Sequence, residues 1–271
     1  MPLPFTKLHG AGNDYVLVDG FAAPELVDRG AATAALVADR RFGVGSDGLI
    51  VLAPSAVADC RMHMWNADGS RGAMCGNGLR LLARFAIESG RVLGDAMSIE
   101  TDAGVIAAVV QRDDDGEITG ARVGMPSVSV ADRPETIVVD GIRHAFWRAS
   151  VGNPHAVIFV DADPELAPLH RVGPAFQCEA RFPDGVNVEM VFPGDVDLLV
   201  QRTFERGSGE TWACGSGAVA AAMVALRVGA LRGDRVRVRL RGGELRVHRI
   251  GEDRAELEGP AVRVFDGVFG A

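Results

Sequence analysis

Two short stretches hold the most reactive side chains of the sequence and share one design: Asn66-Ala-Asp-Gly-Ser-Arg-Gly-Ala-Met-Cys75-Gly-Asn-Gly78 and Glu205-Arg-Gly-Ser-Gly-Glu-Thr-Trp-Ala-Cys214-Gly-Ser-Gly217. Each is polar and glycine-rich, ends in one cysteine and runs at once into an apolar segment. A cysteine placed just before a helix has beside it backbone N–H groups with no acceptor inside the helix, and that end of a helix favours negative charge. Such a setting lowers a thiol pKa from about 8.5 toward neutrality, and it also holds a carboxylate or oxyanion. Two thiols in matched settings suit inversion at a carbon acid: one thiolate removes the α-proton, and the other thiol returns a proton to the opposite face. Helix N-termini gripping the carboxylate would stabilise the carbanion by about 3 to 4 kcal/mol per donor on the oxyanion-hole scale.

One cysteine by itself is more often a small core residue than a catalyst, and a lone Cys-Gly-Asn-Gly also suits a hairpin turn. Repetition in a matched context favours the chemical reading for Cys75 and Cys214. Cys60 and Cys178 lack that context and read as structural.

The repeat reaches beyond the cysteines. Shifted by 140 residues, Gly12-Asn13 through Asp19 falls on Gly152-Asn153 through Phe159, and Arg41-Phe42 falls on Arg181-Phe182; shifted by 139, Cys75-Gly-Asn-Gly falls on Cys214-Gly-Ser-Gly. Hydrophobic periodicity predicts the elements that carry these residues. In the first half, strands are expected at Tyr15–Asp19, Leu49–Leu52, Arg61–Trp65, Met97–Glu100 and Val105–Val110, and helices at Ala31–Arg40 and Leu79–Ser89, the latter stopped by Gly90. A turn is expected at Asp113–Gly116. Residues 118–150 read as a connection with strands at Thr136–Val139 and His144–Ala149. In the second half, strands are expected at Ala156–Val160, Asn187–Phe192, Asp197–Phe204 and Arg235–Arg241, and helices at Leu166–Phe176 and Gly215–Arg227, with Gly229 as a stop. The helix after Cys214 is apolar almost all round and should be buried. The expected fold is α+β with two domains, 1–118 carrying Cys75 and 119–271 carrying Cys214, whose C-terminal strands are able to cross over. Under the repeat's pseudo-two-fold, the two loops would meet at one cleft.

Composition limits the partners. The 271 residues carry a formal net charge of -8, which argues against nucleic acid or an anionic membrane as the main ligand and for a small solute. No apolar run approaches membrane-spanning length and Met1–Gly10 lacks a signal-peptide core, so a cytoplasmic protein is expected. The four cysteines contain no Cys-x-x-Cys pair and no two histidines stand three to five apart, so no metal site is expected, and the cysteine density is too low for a disulfide scaffold. Of 28 basic residues one is a lysine, Lys7; a pyridoxal Schiff base would have that single candidate, and no cofactor is expected. The alternating arginines of 235–241 read as a solvated strand face balanced by the acidic residues that follow.

The strings His9-Gly-Ala-Gly-Asn13-Asp14, Gly43-Val-Gly-Ser-Asp-Gly48, Asn66-Ala-Asp-Gly69, Cys75-Gly-Asn-Gly-Leu-Arg80, Gly152-Asn-Pro-His155, Arg181-Phe-Pro-Asp-Gly-Val-Asn187 and Glu205 through Gly217 together closely resemble the diaminopimelate epimerase family, and they run in that family's order along nearly the whole chain. The resemblance implies a pyridoxal-independent isomerase that interconverts L,L- and meso-diaminopimelate on the lysine and peptidoglycan-precursor route. It implies two similar domains, each a barrel-like sheet around a central buried helix, and a homodimer. It makes Cys75 and Cys214 the acid/base pair. Gly76, Asn77, Gly215 and Ser216 would offer backbone N–H groups to the reacting carboxylate, while Asn13, Asn66, Asn153, Asn187 and Arg206 would hold the substrate's polar ends. Arg206 suits the distal carboxylate because a guanidinium pairs bidentately; Glu205 would take the ammonium, and with His155 it would tune the thiols. Taken singly, the asparagines also suit Asx turns and caps, and His155 a structural histidine. Two positions depart from the family's pattern: Gly48, where some members carry Gln, and the bulky Trp212, expected to shape the cleft wall or the domain contact.

A proline or hydroxyproline racemase is the nearest alternative, but its substrate has one carboxylate and would leave Arg206 and several asparagines without a partner. A non-catalytic binding protein or a thiol redox sensor are the alternatives of another class. Two thiols facing one cleft would also be able to join as a Cys75–Cys214 disulfide on oxidation.

Overall fold

The computed structural model describes residues 2–270 and is mixed α+β, with four α-helices among the described residues. Two compact units are present, Met1–Gly124 with Glu258–Ala271, and Met125–Leu257. The expected division at 118 falls at the first residue of a strand, Ile118–Gly124, which stays whole with the first unit, and the last strand of the chain returns to that unit.

In the first unit the strands are β1 (Leu3–Gly10), β2 (Asn13–Asp19), β3 (Gly48–Ala53), β4 (Cys60–Asn66), β5 (Arg71–Gly72), β6 (Ala96–Thr101), β7 (Gly104–Arg112) and β8 (Ile118–Gly124). β1 pairs antiparallel with β2, β2 parallel with β3, β3 antiparallel with β4, β4 parallel with β6, and β6 and β7 antiparallel with their successors. Val262–Phe269 closes the other edge of β1. Helix α1 (Leu26–Ala38) covers one face of β2, β3 and β4, and α2 (Gly76–Glu88) lies against β1, β2, β3, β4, β7 and β8, so the sheet wraps it.

The second unit repeats this plan. Its strands are β9 (Ser129–Val130), β10 (Glu135–Val139), β11 (Ile142–Ser150), β12 (Pro154–Phe159), β13 (Asn187–Pro193), β14 (Leu198–Glu205), β15 (Gly209–Thr211), β16 (Arg235–Leu240), β17 (Gly243–Arg249) and β18 (Ala255–Pro260), the last of which runs on into the first unit. The succession of pairings from β11 through β12, β13, β14 and β16 to β17 has the same directions as that from β1 through β2, β3, β4 and β6 to β7. Helix α3 (Leu169–Gln177) takes the place of α1, and α4 (Gly215–Arg227) that of α2.

Helices on both faces explain why β3 and β13 read as near-continuous apolar runs. Leu49 and Val51 face α1, while Ile50 touches α2 at Gly78; Val188 and Met190 face α3, while Glu189 touches α4 at Gly217. The residues of β2 and β12 divide in the same way, with Val16 and Val18 in the α1 core and Ala156 and Ile158 in the α3 core. Both central helices end on a glycine in the left-handed region, Gly90 and Gly229, with matched carbonyl closures from Arg91 N to Ala86 O and from Ala230 N to Ala225 O.

Several boundaries differ from the sequence reading for tertiary reasons. Helix α1 begins at Leu26 rather than Ala31, because Gly30 is a packing residue: a Cβ there would stand 2.2 Å from the Trp65 ring. The expected helix over 166–176 is a 3-10 turn, Pro164–Leu166, followed by α3, with Pro168 at the break. Strand β8 lies where a connection was expected, and α4 keeps its expected bounds. The strand-face arginines are ion-paired, Arg237 with Asp197 and Arg241 with Glu165 and Glu210.

Gly173 of α3 meets Phe204 as Gly30 of α1 meets Trp65; a Cβ would stand 2.4 Å from the Phe204 ring. Overpacking typically costs about 1–3 kcal/mol, more than the roughly 0.8–1 kcal/mol alanine gains over glycine in a helix. Gly30→Ala and Gly173→Ala are each expected to lower the urea midpoint with an unchanged slope, and equal or higher midpoints would show that these helix–strand contacts do not set the packing distance.

Candidate active site

Cys75 and Cys214 are the N-cap residues of α2 and α4, both extended, with φ −141° and −124°. Each sulfur accepts a hydrogen bond from the N–H of the third helical residue, Gly78 N at 3.4 Å and Gly217 N at 3.3 Å. The first two N–H groups of each helix, those of Gly76 and Asn77 and of Gly215 and Ser216, have no acceptor within the helix. Glycine at the third position is a steric requirement in the second unit, where a Cβ on Gly217 would stand 2.5 Å from Glu189 Oε1 and 3.2 Å from Cys214 Sγ.

In the Cys75 half the side chains that contact the sulfur are a phenol and an amide, backed by ionised groups. Tyr15 donates from its hydroxyl to Sγ at 3.7 Å, and Asn13 Oδ1 lies 3.9 Å from the thiol. Asn13 is held at both ends, donating from Nδ2 to Asp47 Oδ2 at 2.6 Å and accepting from Asn77 Nδ2 at 3.2 Å. Arg80, wholly buried, donates to Asn77 Oδ1 at 2.7 Å and to the Gly76 carbonyl at 3.2 Å. Burial lowers Arg80 to about 10, opposed by the negative charge of Cys75, and burial with the adjacent sulfur drives the Tyr15 phenol well above its ordinary 10. Asp47 is raised, by burial first and by the charge of Asp14 as well; burial also acts on Asp14, but hydrogen bonds and charge from Arg40 and Lys7 outweigh it and leave that carboxyl below its ordinary value. Lys7, the single lysine, is buried with its ammonium on Asp14 and the Gly45 carbonyl. Asn66, at the end of β4, donates to Ser70 Oγ at 2.9 Å within its own turn.

The Cys214 half is built around carboxylates. Ser216 Oγ lies 3.6 Å from Sγ and accepts from Asn153 Nδ2 at 3.3 Å; Asn153 Oδ1 lies 3.1 Å from His155 Nε2, and His155 Nδ1 lies 2.8 Å from Glu189 Oε1. Glu205, which accepts from Thr211 Oγ1 at 2.5 Å, also takes a hydrogen bond from Cys214. Burial raises Glu205, against the hydrogen bonds from Thr211 and Cys214. Burial raises Cys214 well above 9.0, aided by the charges of Glu205 and Glu189 and opposed by Ser216 and the Gly217 N–H. This reverses the sequence expectation for Cys214: two nearby carboxylates and loss of water outweigh the helix terminus. Asn187 accepts at Oδ1 from the Arg206 backbone N–H at 2.9 Å, and the Arg206 guanidinium reaches the Asp184 carbonyl at 3.3 Å on the surface. Among the described residues no group of three or more His, Cys, Asp or Glu is placed to hold a metal, and no helix is long and apolar enough to cross a membrane.

The chain is similar to known proteins over its whole length. Residues 5–128 and 148–264 match the family profile of diaminopimelate epimerase. A diaminopimelate epimerase of Bacillus cereus is 40% identical over 98% of this chain and 96% of its own length. The chain belongs to the diaminopimelate epimerase family. Members of that family are isomerases, and this chain is one. Among solved structures, a phenazine biosynthesis protein of the PhzF family from Bacillus anthracis has a TM-score of 0.76 at 16% identity, covering 99% of both chains. A hydroxyproline epimerase from Agrobacterium vitis, with bound trans-4-hydroxy-L-proline, has 0.75 at 18%, covering 98% of this chain and 90% of its own. At these identities the likeness is one of fold.

Within this family setting, the structure joins Asn13 and Asn77 to Cys75, and Asn153, His155, Glu205 and Ser216 to Cys214, by hydrogen bonds inside each unit. It also brings forward residues that the sequence reading passed over. Tyr15 falls on His155 in the repeat, Asp47 and Arg80 stand inside quoted motifs, and Glu189 is the one charge in the apolar strand 187–192. Gly48 has a steric cause, since a Cβ would stand 2.2 Å from the Trp65 carbonyl oxygen. Trp212 is exposed, and its carbonyl accepts from Gly242 N.

Thiol reactivity checks this electrostatic picture. Burial also pushes Cys60 up to about 12, whereas Cys178 is exposed at the end of α3. A thiol raised in the fold carries less thiolate at a given pH than a free one. Iodoacetamide is therefore expected to label Cys178 first at pH 8 and to leave Cys60 unmodified, with Cys214 labelling still climbing above pH 9; a Cys214 rate that levels off below pH 8 would contradict a thiol raised by burial and the nearby carboxylates.

Proposed function

We propose that the chain interconverts L,L- and meso-diaminopimelate without a cofactor, by a two-base mechanism in which Cys75 and Cys214 are the acid/base pair, and that it does so as a cytoplasmic homodimer in lysine and peptidoglycan-precursor synthesis. The observation that carries this reading is the pair of N-cap thiols, each holding the N–H of the third helical residue on its sulfur, in a chain of this family.

In this reading the substrate's reacting carboxylate takes the free N–H groups of Gly76, Asn77, Gly215 and Ser216, which gain strength as charge develops on the α-carbon and its carboxylate. Cys75 removes the α-proton in one direction. Cys214, which its surroundings keep protonated, delivers a proton to the opposite face. The reverse reaction exchanges the roles, and product leaves with the proton on the other sulfur. Glu205 accepts the α-ammonium, a cation that also offsets the carboxylate charge now opposing ionisation of Cys214. Asn13, Asn66, Asn153, Asn187 and Arg206 hold the remaining polar groups, with the Arg206 guanidinium on the distal carboxylate. A hydroxyproline-type substrate has one carboxylate and gives Arg206 nothing to bind, which favours a substrate with two amino-acid ends.

Cys75→Ala and Cys214→Ala are each expected to lower epimerisation by about 10²–10⁴-fold or more, the range of one general acid–base group, while leaving the melting temperature close to that of the parent. Incubation with L,L-diaminopimelate in deuterated water should place deuterium at the α-carbon of the meso product. Full activity of either single variant would sink the two-base scheme, and turnover of hydroxyproline in place of diaminopimelate would move the chain to the other substrate class.

A further inference from the structure

Among the positions at which the two halves of the repeat differ, one is fully buried in both and changes from apolar to acidic. Ile50 in β3 and Glu189 in β13 occupy equivalent places: each lies two residues beyond the strand's first residue, and each touches the third residue of the central helix, Gly78 or Gly217. Where the first unit packs a methyl group, the second buries a carboxylate with no exposed surface. Burying a charge in that way is unfavourable unless it is paired. Glu189 is only half satisfied: Oε1 meets His155 Nδ1 at 2.8 Å, while Oε2 is buried without a hydrogen-bond partner.

From Oε1 an unbroken series of contacts runs to sulfur: Glu189 to His155 at 2.8 Å, His155 Nε2 to Asn153 at 3.1 Å, Asn153 to Ser216 at 3.3 Å, and Ser216 to Cys214 at 3.6 Å. His155 is itself fully buried, so its ring has no water to replace a lost partner. A carboxylate on one ring nitrogen fixes the ring's rotation and the proton arrangement on the other. That in turn fixes the Asn153 amide, and Asn153 holds the Ser216 hydroxyl.

We propose that Glu189 is a positioning residue for Cys214: through His155, Asn153 and Ser216 it holds the hydroxyl that contacts the sulfur, and the first unit, with Ile50 in its place, does without such a chain. The proposal rests on the reading of Cys214 as an acid/base group, but its contact chain is testable apart from turnover.

Two conservative variants separate contact from charge. Glu189→Gln keeps the length of the side chain and a group able to hydrogen-bond His155 Nδ1 but removes the charge; Glu189→Asp keeps the charge and withdraws it by one methylene. If position matters, Glu189→Gln retains kcat within about threefold, and Glu189→Asp loses roughly tenfold or more in kcat with little change in KM, the size expected for one hydrogen bond to a charged group. Iodoacetamide labelling at fixed pH, scored peptide by peptide, should show Cys214 slowed in Glu189→Asp, and no slower than wild type in Glu189→Gln, where loss of the charge that raises the thiol favours the thiolate, with Cys75 unchanged in both. The reverse order, with Glu189→Asp like wild type, would show that Glu189 acts by charge alone. Equal slowing of Cys75 would reduce it to a structural residue, and wild-type behaviour of both variants would also overturn the proposal. Should Glu189→Asp not fold, ring nitrogen spectra of His155 in the wild-type protein decide: an Nδ1–H protected from exchange supports the chain, and a freely exchanging ring overturns it. Loss of activity in Cys214→Ala bears on the catalytic reading, and the labelling ratio bears on this one.

Discussion

The structure depends on a sulfur atom sitting where a helix begins. A thiol at the N-cap accepts the N–H of the third helical residue only if the chain enters the helix in an extended conformation, as Cys75 and Cys214 do. The helix must then be held along its length, since a thirteen-residue helix is marginal by itself. Each unit meets that need by wrapping strands around the helix. α4 accordingly has a nearly all-apolar, alanine-rich surface, and α2 buries Leu79, Leu81, Leu82 and Ala86 beside the guanidinium of Arg80. The arginine belongs to the site as much as to the core, because its partners are the Gly76 carbonyl and the Asn77 amide at the mouth of the helix.

The repeat supplies two such helix mouths, and differences at a few equivalent positions give them different chemistry. Tyr15 faces His155, Ile50 faces Glu189, Asn66 faces Glu205 and Asn77 faces Ser216 when one half is laid on the other. The first set puts a phenol and an amide against the sulfur; the second brings carboxylates close to it. A symmetric pair of thiols would share one ionisation behaviour, whereas an acid and a base working together need values set apart. Burial first, and the charges of Glu205 and Glu189 with it, drives Cys214 upward, which in the proposed scheme suits it to deliver the proton.

The sequence shows this site well where type and position coincide. The duplicated cysteine context, the glycine stops at Gly90 and Gly229 and the bounds of α4 follow from local pattern. Other features depend on tertiary contact. Gly30 lies outside the helix expected from Ala31 and is the point where α1 closes on Trp65. β1 carries no alternating signal, because Thr6 and Lys7 are buried along with Phe5 and Leu8. Helix position alone predicts a lowered thiol at Cys214, and the opposite sign arises from burial first, with the charges of Glu205, in the same motif, and of Glu189, brought in by β13. Glu189 carries a signal in the sequence only as the one charge in the apolar strand 187–192.

Stability explains why such a charge is informative. A buried ion pair seldom stabilises a fold relative to apolar side chains of similar volume, and the first unit demonstrates the apolar solution at the same place with Ile50. The second unit keeps instead a wholly buried Glu189 and His155, one carboxylate oxygen of which lacks a partner. Gly217 is kept free of a Cβ that would strike that carboxylate. An arrangement that buries an incompletely paired carboxylate, and that has an apolar counterpart within the same chain, is held by what it does for the neighbouring sulfur rather than by what it adds to the fold.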